Sequence, residues 1–149
     1  MIRNDQEYRA ALKRTEEDRQ VAAKQRAALE AAGLAPDEVE RAMQPLLSFH
    51  AQLAEEISWY ERVKRRDFGV LSRLTGLGRL LIALRIANGL TQRELAQRLG
   101  VDEAQVSRDE RNEYYGITLE RAQRVLDALG TQVVTRVVEA SDERELAPV

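Results

Sequence analysis

The strongest constraint on this chain is a stretch near its start, from Asp5 to Ala32, that contains neither glycine nor proline. It is dense in alanine, glutamate, glutamine, lysine and arginine, which favour the α-helix. We therefore predict one helix of about 40 Å. Gly33 provides a stop, and Pro36 suits the first turn of a following helix. The predicted apolar stripe of the first helix is thin: Tyr8, Leu12, Ala22 and Leu29, interrupted at Asp18 and Arg19.

Apolar residues of the second stretch, from Pro36 to about Arg66, recur in alternating steps of four and three, the spacing of a heptad seam that packs against another helix. Pro45 removes one backbone donor, so we expect a kink or a break near Gln44. Residues 1–66 are thus predicted to form an antiparallel helical hairpin for dimerisation or partner binding. The seam residues are Val39, Met43, Leu46, His50, Leu53, Ile57 and Tyr60.

His50 is the only histidine of the chain. Two interpretations stay open. The favoured one is a partly buried histidine that is hydrogen-bonded to a neighbour. The other is a pH-responsive contact between helices, because imidazole titrates near physiological pH. A helical metal or catalytic site would normally need a second imidazole or a cysteine beside it.

The amino-acid composition excludes several classes of functional site. The 149 residues include no cysteine, which excludes a disulfide scaffold, a thiolate nucleophile and a cysteine-ligated metal. No run reaches the ~18–20 apolar residues of a membrane span, and the first seven residues lack the hydrophobic stretch of a signal peptide. We expect a cytoplasmic protein that has no membrane contact, no metal, no cofactor and no enzymatic activity.

The amino-acid pattern changes after the hairpin, from long helical stretches to a segment with glycines and then to short helices. Residues 67–76 contain Gly69 and Gly76 among short polar and apolar residues and are predicted to be a linker. The glycine spacing there matches neither a dinucleotide-binding turn nor a P-loop. From Leu77 onwards, short helices with clear end signals follow one another.

Four short helices are predicted between Leu77 and Gly130. The first ends at Asn88 and Gly89. Thr91 and Glu94 have the spacing of a capping box at the start of the second, and Gly100 ends it. Asp102 is the candidate cap of the third helix, and Thr118 or Ile117 begins the fourth. Two short helices joined by a glycine turn are typical of a helix-turn-helix.

Three segments resemble the phage repressor and Cro class of helix-turn-helix proteins, the XRE class. They are LRIANGLTQRELAQRLGV from Leu84, VSRDER from Val106 and LDALG from Leu126. The resemblance implies that residues 77–130 form a domain that binds double-stranded DNA. It also implies a transcription regulator, a dimeric repressor that reads a pseudo-palindromic operator.

The resemblance assigns residue roles as well. Glu103, Ala104 and Arg108 match positions that read base edges, and Gln105 and Ser107 match supporting contacts. Gln92 matches a phosphate contact, helped by the helix N-terminus. Arg85 and Glu110 match an ion pair that ties the first helix to the end of the third. The complete predicted DNA-binding set is Thr91, Gln92, Arg93, Glu103, Ala104, Gln105, Ser107, Arg108 and Asn112.

Several residues depart from the class pattern. Asp102, Glu103 and Asp109 make the third helix acidic, and carboxylates near phosphates oppose DNA binding. Asn112 replaces the usual glycine after this helix, and asparagine can adopt the left-handed conformation that glycine would supply. Tyr114 and Tyr115 stand where basic residues are common. These changes bear on affinity and sequence preference rather than on the fold.

A basic cluster, Arg62, Lys64, Arg65 and Arg66, ends the second long helix. The favoured explanation is that cations are stabilised at a helix C-terminus. The alternative is a set of extra phosphate contacts, whose removal would weaken binding to all DNA sequences alike.

The end of the chain is rich in β-branched residues from Thr131 to Val138, so residues 131–139 are predicted to form a strand. A lone strand needs a partner. The favoured partner is its counterpart in a second subunit, which would make a two-fold dimer, and pairing with the N-terminus is the less favoured choice. Residues 140–149 are predicted to be disordered.

The N-terminal residues Ile2 to Leu12 are similar to the opening of HigA-type antitoxins and of stand-alone bacterial regulators with the same helical preface. The resemblance implies an alternative function: an antitoxin that binds a small toxin through its helical region and represses its own operon. The expected fold is all-α in either case, with a helical hairpin, a helix-turn-helix domain and a short C-terminal strand.

Charge is distributed unevenly along the chain, whose formal net charge is -2. Residues 1–66 hold 12 basic and 12 acidic side chains, residues 67–130 hold 9 and 9, and residues 131–149 hold 2 and 4. The predicted DNA-binding segment is therefore neutral. We expect weak non-specific binding and a greater reliance on base contacts.

Overall fold

A computed structural model describes residues 1–137 of the chain. The helices are α1 (Asp5–Ala31), α2 (Pro36–Lys64), α3 (Leu77–Ala87), α4 (Gln92–Leu99), α5 (Glu103–Arg111) and α6 (Leu119–Ala128), with a 3₁₀ turn at Leu74–Gly76 before α3. The chain divides into two compact units, the first spanning Met1–Glu61 and the second beginning at Arg62. Within residues 1–137, no helix is both long and apolar enough to cross a bilayer.

The first unit is an antiparallel pair of helices. The rings of Tyr8 and Tyr60 stack with centroids 5.1 Å apart, and the Tyr60 hydroxyl donates a hydrogen bond to Asp5 at 2.7 Å. At the other end of the pair, the Arg26 guanidinium lies 2.6 Å from the Glu40 carboxylate. Contacts between the start of one helix and the end of the other define the hairpin register.

The heptad seam of α2 lies against α1. Val39, Met43 and Tyr60 are buried, and Leu46, His50, Leu53 and Ile57 are half-buried. On α1 the predicted stripe was wrong at Leu12, which is 43% exposed, whereas the neighbouring Ala11 is buried. The two residues are neighbours in α1 and point about 100° apart around the helix, so only one of them can occupy the buried position.

Helix α2 continues from Pro36 to Lys64 without a break at Pro45. The expected interruption near Gln44 was wrong in that respect. Pro45 lies on the exposed side of the helix, where water can satisfy the carbonyl group that loses its backbone donor. Packing of the seam on both sides of the proline keeps the two halves in one helix.

The second unit contains α3 to α6, and its core is centred on α3. Six consecutive residues of this helix, 81–86, are buried. Leu81 and Ile82 of α3 are at most 1% exposed, as are Leu95 of α4, Val106 of α5 and Val125 of α6. This core fixes the two helices of the predicted helix-turn-helix, α4 and α5, on a rigid support.

The predicted C-terminal strand is not present in the described residues: 131–137 form neither helix nor strand, and Val134 and Val137 are more than 90% exposed. Sequence reasoning overestimated the β-branched run, because a strand also needs a neighbouring strand to pair its backbone groups. Residues 138 and 139 of the predicted strand, and the predicted disordered tail 140–149, lie outside the described residues.

Candidate nucleic-acid interface

The turn between α4 and α5 depends on Gly100. Its backbone lies in the left-handed region, at φ 68° and ψ 34°, which glycine adopts without steric cost. The amide of Val101 donates to the Ala96 carbonyl at 3.0 Å and closes the end of α4. This turn sets the angle at which α5 leaves α4.

The start of α4 is closed by a reciprocal cap. The Glu94 amide donates to the Thr91 hydroxyl oxygen at 3.1 Å, and the Thr91 amide donates to the Glu94 carboxylate at 2.7 Å. These bonds hold the pKa of Glu94 below its usual value, the backbone bond from Thr91 being the largest cause. The capping box expected from the sequence is thus confirmed.

Helix α5 presents the residues that were predicted to read bases. Glu103, Ala104 and Arg108 are exposed, and Gln105 and Ser107 are half-buried. Val106, on the opposite side of the same helix, is 1% exposed and faces the core. The helix begins after Asp102, which is extended at φ −72° and ψ 144° but makes no side-chain capping bond. A helix with an exposed polar face, held to the core by the buried Val106 and Glu110, suits insertion into a groove.

A buried polar network holds α5 to α3 and α4. The Arg85 guanidinium contacts both carboxylate oxygens of Glu110, and its Nη1 donates to the Leu90 carbonyl at 2.6 Å. The Gln92 side-chain Nε2 donates to Glu110 Oε2 at 2.7 Å. An amide nitrogen carries two hydrogens, so one hydrogen of Gln92 stays available to a second acceptor. Gln92 therefore links the position of α5 to the N-terminal end of α4.

Ion pairs offset Glu103 and Asp109, two of the three carboxylates that made α5 look acidic in the sequence. Glu103 lies 3.5 Å from the Arg93 guanidinium of α4, and Asp109 pairs with Arg121 of α6. Asp102 is exposed. The acidity that the sequence suggested is therefore smaller in the folded domain, because the partner cations come from neighbouring helices.

The loop after α5 differs from expectation. Asn112 is not left-handed, since its φ is −93°. The positive φ values fall instead on Glu113 at 49° and Tyr114 at 53°. Tyr114 turns into the core and is 5% exposed, and burial, followed by the nearby Glu110 and Asp109 charges, raises its pKa. Burial of this ring stabilises a backbone turn that its own sequence disfavours.

The start of α3 packs closely against the loop after α5 at Gly78. A methyl group built on Gly78 would lie 1.8 Å from the Glu113 carbonyl oxygen. The first turn of α3 therefore passes directly over the loop that follows α5. The sequence alone offered no signal for this contact, and none for the core position of Tyr114.

The basic cluster at the end of α2, predicted to supply extra phosphate contacts, is largely exposed. Lys64, Arg65 and Arg66 are exposed, and Arg62 is half-buried. Arg66 donates to the Asn88 side-chain oxygen at 3.0 Å, and the Asn88 amide in turn donates to the Leu129 carbonyl.

Metal ligation has no candidate in residues 1–137, because no three histidine, aspartate or glutamate side chains converge there in a way that would hold an ion.

A comparison with models of protein families matches part of the second unit. Residues 81–134 match a family model described as helix-turn-helix. No curated protein and no solved structure matched the chain. The matched segment starts within α3, contains α4, the Gly100 turn, α5 and α6, and ends after α6. Residues 81–134 are therefore a helix-turn-helix domain of the XRE class, a family of DNA-binding transcription regulators.

Proposed function

We propose that the protein is a sequence-specific repressor that binds a pseudo-palindromic operator as a dimer. The observation that carries this proposal is the exposed polar face of α5, where Glu103, Ala104 and Arg108 project from a helix anchored by the buried Val106. A helix of this kind fits the major groove, where each base pair presents its own pattern of donors and acceptors.

Arg108 is the best candidate for base recognition. Its guanidinium is exposed on α5, and arginine donates two hydrogen bonds to the acceptors of guanine. Glu103 is a candidate acceptor for the cytosine amino group, and its ion pair with Arg93 would reduce repulsion from the flanking phosphates.

Positioning of α5 depends on residues that need not touch a base. Glu110 is fully buried and receives bonds from Arg85 and Gln92. Gln92 also stands at the N-terminal end of α4, where backbone amides attract anions. We propose that Gln92 contacts a phosphate with its free amide hydrogen, which would fix the register of α5 on the duplex.

The test is a mobility-shift competition with DNA from upstream of the protein's own coding sequence. Replacing Arg108 with alanine should reduce the preference for the cognate site over a scrambled site by about 1–3 kcal/mol. Gln92→Ala should weaken binding to both sites. Arg19→Ala removes an exposed cation from α1 and serves as the charge-matched control. Equal binding by the parent and both interface variants would overturn the proposal.

The basic cluster is tested separately by salt dependence. If Arg65 contacts phosphate, Arg65→Ala should lower the slope of log affinity against log salt by about one. The same variant should not alter the ratio of cognate to scrambled binding. An unchanged slope would support the other interpretation, in which the cations stabilise the end of α2.

Antitoxin activity is the alternative function. The observation that favours it is that the hairpin forms a compact unit of its own and exposes Leu12, Val21 and Phe49. We propose that, in this case, a small toxin would bind the hairpin while the helix-turn-helix domain repressed the operon. Co-expression with the product of the adjacent gene should then yield a complex that is lost when Val21 and Phe49 are changed to serine. A chain that purifies alone would argue against this alternative.

A further inference from the structure

A wide apolar groove crosses one end of the second unit, between the loop after α5 and the start of α3. Its volume is about 600 Å³. The apolar side chains that line it are Leu74, Leu77, Tyr115, Ile117 and Leu119. Tyr115 is 95% exposed, and Leu74 and Leu119 are each more than 70% exposed. Monomeric proteins rarely leave such side chains together in water, so the groove marks an interaction surface.

The floor of the groove is closely packed. Gly78 and the Glu113 carbonyl are in direct backbone contact, and the buried Tyr114 ring lies beside them. Because Glu113 and Tyr114 both have positive φ, the chain reverses there, and Tyr115 projects into solvent. A surface that is already shaped loses little conformational entropy when a partner binds.

The rim of the groove carries one cation and one anion. Arg111 and Glu113 both line it, and both are exposed. In a two-fold interface the same patch meets itself, so a residue that contacts a second position on the partner is contacted by that position in return. The opposite charges of Arg111 and Glu113 suit a pair between Arg111 and Glu113 of the partner subunit, and symmetry would form that pair twice. The patch is self-complementary in charge as well as apolar.

We propose that a second copy of this chain docks in this groove, with Tyr115 and Leu119 of each subunit buried against the other. This proposal rests on the proposed function, in which a dimer presents two α5 helices to DNA. Arg111, which lines the groove, is the last residue of α5. An interface there would bring the two α5 helices to either side of one axis, as the reading of half-sites about 34 Å apart requires. It also replaces the predicted strand pairing as the source of the dimer.

The first experiment measures self-association of the full chain without DNA, by sedimentation equilibrium. The parent should be a dimer, and Leu119→Arg and Tyr115→Glu should each raise the dissociation constant at least about tenfold. Leu12→Arg on the hairpin and Val134→Arg after α6 also change exposed apolar residues and should leave it unchanged. Circular dichroism should show unaltered helix content in all four variants.

Two outcomes would overturn the proposal. One is a parent chain that stays monomeric at all concentrations, which would leave the groove to a different partner. The other is a dimer that survives both groove variants or dissociates in a control variant, which would place the interface at the hairpin or after α6.

Charge reversal gives a test that does not depend on the apolar residues. Arg111→Glu and Glu113→Arg should each weaken the dimer, because each sets like charges opposite each other across the axis. The double variant restores opposite charges and should restore dimerisation. Failure of the double variant to recover would contradict the assigned pairing.

DNA binding separates this proposal from the proposed function. Leu119→Arg should still bind a half-site duplex with parent affinity and should lose the added affinity of the full site. A parent that dimerises through the groove but binds neither duplex would leave the interface standing and refute the DNA-binding function.

Discussion

Arg85 of α3 and Glu110 of α5 form a two-pronged ion pair in the core of the second unit, with Nε to Oε1 at 2.5 Å and Nη2 to Oε2 at 2.8 Å. The Arg85 side chain is 3% exposed and that of Glu110 is fully buried. The two residues are 25 positions apart in the chain. Their contact attaches the candidate DNA-reading helix to the helix at the centre of the core.

Removal of one member should be strongly destabilising. Arg85→Ala leaves the Glu110 charge buried with only the Gln92 amide beside it, and we expect the free energy of unfolding to fall by about 3–5 kcal/mol. Arg93→Ala breaks the exposed pair with Glu103 and should cost less than about 1 kcal/mol. Urea unfolding of both variants measures the difference. A similar small loss in both would show that the buried pair is not essential to the fold.

Gly78→Ala tests the contact between α3 and the loop after α5. The added methyl would lie 1.8 Å from the Glu113 carbonyl oxygen and 2.7 Å from its carbon, and backbone atoms cannot move aside as side chains do. We expect a loss of about 3 kcal/mol. At Gly76, the matched control, a methyl would meet only the flexible end of Leu71. The contact would be wrong if Gly78→Ala were no less stable than Gly76→Ala.

Acid should weaken the cap of α4. The hydrogen bonds from Thr91 lower the pKa of Glu94 in the folded state, so folding favours its ionised form. The stabilisation is complete above the ordinary carboxyl pKa, and it is lost as pH falls through the lowered folded-state value. Thermal unfolding between pH 7 and pH 3 should show a smaller drop in melting temperature for Glu94→Gln than for the parent. Parallel curves would contradict this assignment.

The seam of the hairpin contains a polar pair whose replacement should stabilise it. His50 Nε2 and Asp18 Oδ2 lie 3.9 Å apart, and both atoms are shielded from water without a hydrogen bond. Polar atoms that are shielded in this way lose their hydrogen bonds to water, and apolar groups have none to lose. Asp18→Leu combined with His50→Leu should therefore raise the free energy of unfolding by about 1–2 kcal/mol.

Single variants complete this test. His50→Leu alone leaves the Asp18 carboxylate shielded, with the Arg14 guanidinium at 3.6 Å, and should be less stable than the double variant. Thermal unfolding of the two single variants and the double variant measures their interaction energy. A double variant that is less stable than the parent would show that the pair contributes more than it costs.

Sequence reasoning succeeded where the cause of a structure is local. The capping box of Thr91 and Glu94, the left-handed stop at Gly100 and the start of α6 after Thr118 all arise from groups a few residues apart. The limits of α1 and α2 were likewise predicted to within about two residues, because helix formers and the glycine and proline between them act at short range.

Sequence reasoning failed where contacts between distant segments decide the structure. Leu12 was expected in the seam but is exposed, and the neighbouring Ala11 is buried instead. Asn112 was expected to be left-handed, but burial of the Tyr114 ring moves the turn one residue onward. The β-branched residues 131–137 had the composition of a strand, and no neighbouring strand pairs with them.

The amino-acid pattern was sufficient to establish an all-helical chain with a helix-turn-helix segment. Helical periodicity, helix caps and glycine stops each depend only on residues that are close together in the sequence. Tertiary packing decided how acidic α5 remains, where Tyr114 points and which apolar residues form the groove at Leu74, Tyr115 and Leu119. The reason is that Arg121 meets Asp109, and Gly78 meets Glu113, only after the helices have packed. The conformational preferences of single residues do not determine such contacts.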